Sequence, residues 1–229
     1  MTFTIGGNDV GFEPILKDCV FDELDQQSSP GCSQKGRAAY TTAVNGLRQL
    51  QNGLPIGGVN DTTLADIYVD IADRMAPGGE IVVAGYPRLF GESRIHYHIF
   101  KTAHYPFVGL GCQVGVAHGV KGLVSDPLWV SYTDATWIDS IADQGDQIIA
   151  NQVAAANQTL QADHVAVKVV MAQNVDHQFH GHRLCDSGTP YLNGVILHGD
   201  RTNPDQRSFH PNQGGQDVYA RAVKAALGL

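Results

Sequence analysis

A three-layer α/β sandwich around a mostly parallel sheet is the fold this sequence predicts, and three observations predict it. Ile81-Val82-Val83-Ala84 and the run containing Val165, Val167, Val169 and Val170 are apolar and β-branched, which suits strands buried on both faces. Each follows a stretch whose apolar residues recur at helical spacing, and helix then buried strand, repeated, implies parallel βαβ units. The composition agrees: 43% apolar and 17% charged residues over 229 positions exclude disorder and a coiled coil, and suffice for one substantial core.

The elements follow in order. Thr2-Phe3-Thr4-Ile5 alternates like a strand and stops at Gly6-Gly7. Residues 9–17 read as a short helix, and Cys19 and Cys32 bracket an acidic loop with Asp22, Glu23 and Asp25. Residues 35–50 form a helix on the spacing of Ala38, Ala39, Ala43, Leu47 and Leu50. Thr62 or Thr63 caps the next, which carries Leu64, Ile67, Tyr68, Ile71, Ala72 and Met75 until Pro77-Gly78-Gly79 stops it. Strand 80–85 comes next. Residues 88–130, rich in Gly, His and aromatics without clear periodicity, read as a long excursion with little regular structure. Helix 131–159, strand 164–171, a Gly/Pro/Asn-rich stretch to about residue 206 and a helix over 213–227 complete the chain.

Charge narrows the function. Fifteen Lys plus Arg against 23 Asp plus Glu give −8, which opposes phosphate-backbone binding, so no nucleic-acid partner is expected. No apolar run approaches the ~20 residues that span a bilayer.

Ligands of open α/β sheets bind beyond the carboxyl ends of the strands. Three sites there, or in the loop before the last helix, hold suitable residues: Gly6-Gly7-Asn8-Asp9, Gly85-Tyr86-Pro87 and Ser208-Phe209-His210-Pro211-Asn212. Paired glycines let the backbone turn and approach a ligand, and Asn8 adds a neutral amide donor. Such a donor aimed at an oxyanion contributes about 2.7–4 kcal/mol of transition-state stabilisation. His210, beside a rigid proline, has the reach of a general base. Taken singly, Gly-Gly-Asn-Asp is most often a plain turn, and a loop histidine is usually a solvated surface residue.

Together these blocks resemble the SGNH hydrolases, or GDSL-type esterases and lipases, most of all the secreted actinobacterial members. The matching residues are Thr4-Ile5-Gly6-Gly7-Asn8-Asp9-Val10-Gly11-Phe12, Gly85-Tyr86-Pro87-Arg88-Leu89-Phe90, Gly181-His182-Arg183-Leu184-Cys185-Asp186 and Ser208-Phe209-His210-Pro211-Asn212, with Gly215-Gln216 and Tyr219-Ala220. The resemblance implies a flavodoxin-like sheet and a carboxylic ester (lipid or acyl ester) hydrolase. Its acyl transfer would run through a Ser, with His210 as base, Asn8 as oxyanion donor, and Gly6, Gly7 and Asp9 in support. No cofactor or metal is implied. The partners expected are a small-molecule or lipid ester substrate, and the chain is expected to be a monomer.

Two departures qualify it. No Gly-Asp-Ser, the family's nucleophile block, occurs in the sequence. The expectation is a domain over 1–229 truncated at its N-terminus, lacking the first βαβ unit and inactive alone. Ser187, in Asp186-Ser187-Gly188, reads as a loop residue, and Ser208 as one that shapes the loop of His210. The family's orienting Asp, three residues before the His, is replaced by Arg207, and Asp205 stands five before it. Some members use a backbone carbonyl there instead. The alternative from another class is a non-catalytic acyl- or glycan-binding module that keeps the hydrolase fold.

Four cysteines allow three pairings, or free thiols in a cytosolic protein. The resemblance implies Cys19–Cys32 and Cys112–Cys185 in a secreted parent. Of the ten histidines, His177, His180 and His182 do not match a zincin spacing, and His96, His98 and His104 read as surface or lid residues. Tyr97, Phe100, Tyr105 and Phe107 suit either an acyl pocket or ordinary packing.

Overall fold

The computed structural model describes residues 1–25, 31–56, 59–101, 108–118, 125–197 and 204–229. Its central sheet is parallel throughout, with strand order β1 (Thr2–Phe3), β4 (Glu80–Ala84) and β8 (Lys168–Ala172). Phe3 lies opposite Val83 and Ala84 opposite Ala172, so the three carboxyl ends are level. Ile81, Val82 and Val83 are all fully buried. Consecutive strand residues point to opposite faces, so both faces of β4 are covered.

The covering layers come from the predicted helices. One layer holds α5 (Tyr132–Ala162), which packs on β8, and beside it α3 (Ala38–Asn52) and α4 (Leu64–Ala72). The other holds α7 (Gln213–Ala226) on β4 and β8, with the short α6 (Val175–Phe179) against it. This is the α/β sandwich read from the sequence. Thr63 caps α4 in a reciprocal box: its Oγ1 accepts from Asp66 N–H at 3.2 Å and its own N–H donates to Asp66 Oδ2 at 2.8 Å. Ser131 caps α5 on Asp134 N–H at 3.1 Å.

Three expectations are corrected. The helix expected over 9–17 is two, α1 (Gly7–Val10) and α2 (Phe12–Asp25), so Asp22, Glu23 and Asp25 are helical rather than in a loop. A hairpin, β2 (Leu54–Ile56) with β3 (Val59–Thr62), fills a stretch read without strands. The excursion is not irregular: β5 (His98–Lys101), β6 (Val108–His118) and β7 (Ser125–Ser131) form an antiparallel sheet, after a single 3₁₀ turn at Arg94–His96. Val108, Leu110, Cys112, Val114 and Val116 do alternate along β6, but glycines fill most of the gaps and read as turns. Gly115 is there for close approach, since a Cβ on it would sit 2.9 Å from Val195 Cβ where residues 191–197 cross the strand.

Cys19 pairs with Cys32 and Cys112 with Cys185. The second disulfide fastens the excursion sheet to the loop after α6. The two edges of the parallel sheet differ. Asn157 of α5 closes the outer edge of β8, donating from Nδ2 to Val169 O at 2.7 Å and accepting Val169 N–H at 3.0 Å. At β1, Val82 N–H donates to Met1 O, which turns the N–H and C=O of Thr2 away from β4 on an exposed edge.

Candidate active site

The level carboxyl ends of β1, β4 and β8 bring together the residues that follow them. After β1 the chain turns at Gly6, whose φ of 111° is a conformation that favours glycine. Gly7 lies under the ring of Tyr86: a Cβ there would be 2.9 Å from ring carbons, and the Gly7 N–H donates to Tyr86 Oη at 3.0 Å. The Gly-Gly pair is thereby explained, one residue by its backbone angle and the next by a ring pressed on its Cα. Asn8 and Asp9 are exposed on the short turn of α1. The Asn8 carboxamide makes no hydrogen bond to a described residue, so its two N–H donors are free.

The block after β4 is held from both faces of the sheet. From α7, Tyr219 Oη donates to Gly85 O at 2.9 Å. From α5, Asp146 Oδ1 accepts Tyr86 N–H at 2.7 Å, and Asp139 Oδ1 accepts the N–H groups of Leu89 and Phe90 at 2.8 and 3.1 Å. Asp143, between them on the same helix, takes Arg88 on both oxygens at 2.8 Å. Burial pushes the Asp139 and Asp146 carboxyls up to about 7, against the N–H groups they accept. Burial likewise raises the Tyr86 phenol, so it stays protonated at neutral pH.

Below this block, the Arg183 guanidinium is 3% exposed and joins Glu92 at 3.0 Å to Asp176 at 2.7 Å. Arg88 also pairs with Glu92. The Arg183 contact, with Arg88 beside it, holds the Glu92 carboxyl below the usual range. Past β8, a cleft of about 290 Å³ opens at the sheet's carboxyl edge, lined by Gly85, Asp146, Ala172, Asn174, Asp176 and His177 among others. Neither Asn8 nor His210 lines it.

His210 stands exposed on the loop leading into α7. Phe209, in the left-handed region at φ 61°, packs edge-on against Phe90 with centroids 6.4 Å apart, which ties this loop to the block after β4. Asn212 caps α7 through Gly214 and Gly215 and reaches Pro190 O with its Nδ2 at 2.8 Å. His210 Nδ1 lies 3.1 Å from Ser208 O. A carbonyl only accepts, so Nδ1 is the donor in this contact, and in a neutral imidazole so oriented the lone pair is on Nε2.

Asp205 is turned elsewhere, taking Arg207 Nε at 2.8 Å and a terminal nitrogen at 3.2 Å. Ser208 shapes the loop with its Oγ on Ile196 N–H at 3.0 Å. Ser187 is exposed on the 181–188 loop. His182 stacks on Tyr191 at 3.9 Å and faces Thr189 O with Nδ1 at 2.9 Å. His177 and His180 are exposed.

Tyr97 is buried, with its hydroxyl on Gly91 O at 2.9 Å. Tyr105, Phe107 and His104 lie outside the described residues.

Of the two sequence-predicted residues, Asn8 thus lies on the turn after β1 and His210 on a loop tied through Phe209 to the block after β4, and no hydrogen bond joins them. Sequence reasoning did not single out the Asp139-Asp143-Asp146 stripe. Its signal was available as carboxylates four and three residues apart on one helix. The Ser208 carbonyl gave no signal, since a backbone acceptor has no residue signature.

Comparison with known proteins supports the fold. No family model matches the chain. A curated lipase from Streptomyces rimosus is 27% identical over 216 residues, 94% of this chain and 55% of its own length. The chain thus spans about half of that relative. Among solved structures, an extracellular lipase of Streptomyces rimosus matches with TM-score 0.55 at 23% identity, covering 98% of this chain and 68% of that one. A phospholipase A1 from Streptomyces albidoflavus matches with TM-score 0.57 at 21% identity, covering 98% and 67%.

Proposed function

We propose, for a chain similar to the SGNH (GDSL-type) hydrolases along nearly its whole length, that these strand ends are part of a serine ester hydrolase site acting on lipid or acyl esters. The observation that carries the reading is His210, whose Nδ1 is fixed on Ser208 O while Nε2 is free and exposed. In this reading Nε2 takes the proton of an attacking serine and returns it to the leaving alkoxide. The free Asn8 carboxamide donates to the oxyanion of the tetrahedral intermediate. Gly6 and Gly7 set the turn that presents it.

The nucleophile belongs to a Gly-Asp-Ser block, which the 229 residues do not contain. A parallel strand carrying that block has an edge to pair with, because the outward N–H and C=O of Thr2 on β1 have no partner among the described residues. The lipase and phospholipase A1 names of the similar proteins support a lipid ester as substrate. The two disulfides and the extracellular relative support a secreted parent.

A chromogenic butyrate ester tests this in two preparations, the 229-residue chain and the chain extended by the coding sequence upstream of Met1. The chain alone is expected to show no turnover sensitive to a serine-directed phosphonate. The extended protein is expected to turn the ester over, and to lose that activity on phosphonate treatment, on His210→Ala and on Asn8→Ala. Phosphonate-sensitive turnover by the chain alone, or an active extended protein indifferent to His210→Ala, would overturn the proposal. Acyl-chain binding without turnover in both preparations would replace it with the binding-module reading.

A further inference from the structure

The excursion sheet carries a feature that the ester chemistry does not use. Residues 93–125 contain Arg94, Lys101 and Lys121 and no Asp or Glu, in a chain with 23 acids against 15 Lys plus Arg. The neighbouring acid on one side, Glu92, is held by Arg88 and Arg183. At the start of this acid-free stretch two isoleucines stand in solvent, Ile95 at 82% exposure and Ile99 at 69%. Among the described residues, only the C-terminal Leu229 of the large apolar side chains is as exposed as Ile95.

Their surroundings fix them there. Ile95 lies in the 3₁₀ turn Arg94–His96, and Ile99 lies opposite Leu110 on β5, an edge strand of the sheet. Buried Tyr97, between them, is locked by its bond to Gly91 O and by an edge contact with Tyr132 at 4.9 Å. The Arg94 guanidinium sits 5.1 Å from the Tyr132 ring centroid, which holds a cation in the same turn as Ile95. The same segment begins at Phe90 and Gly91, and Phe90 touches the loop of His210 through Phe209. The Cys112–Cys185 disulfide holds the sheet to the body behind it.

We propose that this edge, Ile95 and Ile99 with Arg94 beside them, is a docking surface for an anionic lipid–water interface. Exposed isoleucines on a rigid turn and strand leave water when they enter the acyl boundary, and a cation beside them is drawn to anionic headgroups. A nucleic acid or acidic protein fits less well. Such a partner would use a row of cations and hydrogen-bond donors, whereas the outermost residues of the edge are aliphatic. Docking depends on the ester hydrolase reading only for its purpose, since binding is measured without turnover.

The experiment is co-sedimentation of the 229-residue chain with vesicles of phosphatidylcholine alone and of phosphatidylcholine mixed with phosphatidylglycerol, with a soluble polyanion, heparin, as competitor. The chain is expected to sediment with the mixed vesicles, weakly with the neutral ones, and to resist heparin. Ile95→Ser with Ile99→Ser is expected to weaken binding at least about tenfold, and Arg94→Gln about fivefold. Val44→Ser, at an exposed apolar residue on α3, is the control and is expected to bind unchanged. All four altered positions are exposed, and unaltered thermal unfolding of the variants checks that folding is preserved. Absence of binding to the mixed vesicles, undiminished binding by the double isoleucine variant, or full displacement by heparin would each overturn the proposal. A chain that docks but lacks ester chemistry when extended would leave this surface standing and remove the active-site reading.

Discussion

His210 takes its orientation from a main-chain atom. Ser208 O is delivered by a tight turn in which Ser208 N–H bonds to Asp205 O at 2.9 Å and His210 N–H to Arg207 O at 3.1 Å. Asp205, the carboxylate in the right part of the sequence to orient an imidazole, spends its charge on Arg207. A side-chain change at Asp205 is therefore expected to leave the base in place. In the extended protein, Asp205→Asn should keep kcat/KM within about threefold, while His210→Ala should lower kcat by about a thousandfold or more. Ester kinetics on the two variants decide it, and equal losses would make Asp205 the orienting group. Gly6 and Gly7 were legible in the sequence because the turn after β1 needs residues without a Cβ, and Asn8 and His210 were singled out there only for the donor and base chemistry their side chains offer. The carbonyl behind His210 was not, since every residue has one.

At the scale of elements, α5 does two jobs with two sides of one helix. Ile138, Ile141, Ile149 and Val153 pack into the core, and their spacing made the helix readable in advance. Asp139, Asp143 and Asp146 hold the block after β4, and they escaped notice because acids on a helix are ordinarily solvated. The excursion sheet escaped for the opposite reason, its alternation being carried by residues separated by glycine.

The stripe has a consequence in pH. Asp139 and Asp146 titrate near 7 in the folded chain and near 4 when unfolded, so between these values the folded state binds protons that the unfolded state does not. Their contribution to stability is complete below about pH 4 and is lost as pH rises through about 7. Urea unfolding at a series of pH values should show stability falling from about pH 4 to about pH 7, with a shallower fall in Asp139→Asn and in Asp146→Asn. An identical slope in wild type and both variants would show that burial does not govern these carboxyls.

Across the whole molecule, three parts share one buried core and are fastened by further contacts: the parallel sheet with its helices, the excursion sheet, and the segment from α6 to α7 that carries His210. The Arg183–Glu92 ion pair and Cys112–Cys185 are two of those joints, and each connects parts remote in sequence. The order of helices and buried strands was legible because each is a local pattern. These joints were not, because a guanidinium buried between two acids is visible only once the chain is folded.

The disulfides give a graded test of this picture. In the chain-entropy account, closing the short Cys19–Cys32 loop stabilises the fold by about 3 kcal/mol and closing the long Cys112–Cys185 loop by about 4 kcal/mol. Cys112→Ala with Cys185→Ala should therefore lower the urea midpoint more than Cys19→Ala with Cys32→Ala. Only the former should loosen the excursion sheet, read as faster amide exchange along β6 against an unchanged rate in β4. Equal protection of β6 in the two double variants would mean that the crossing of residues 191–197 over the strand, through Val195 N–H on Val114 O, fastens the sheet by itself.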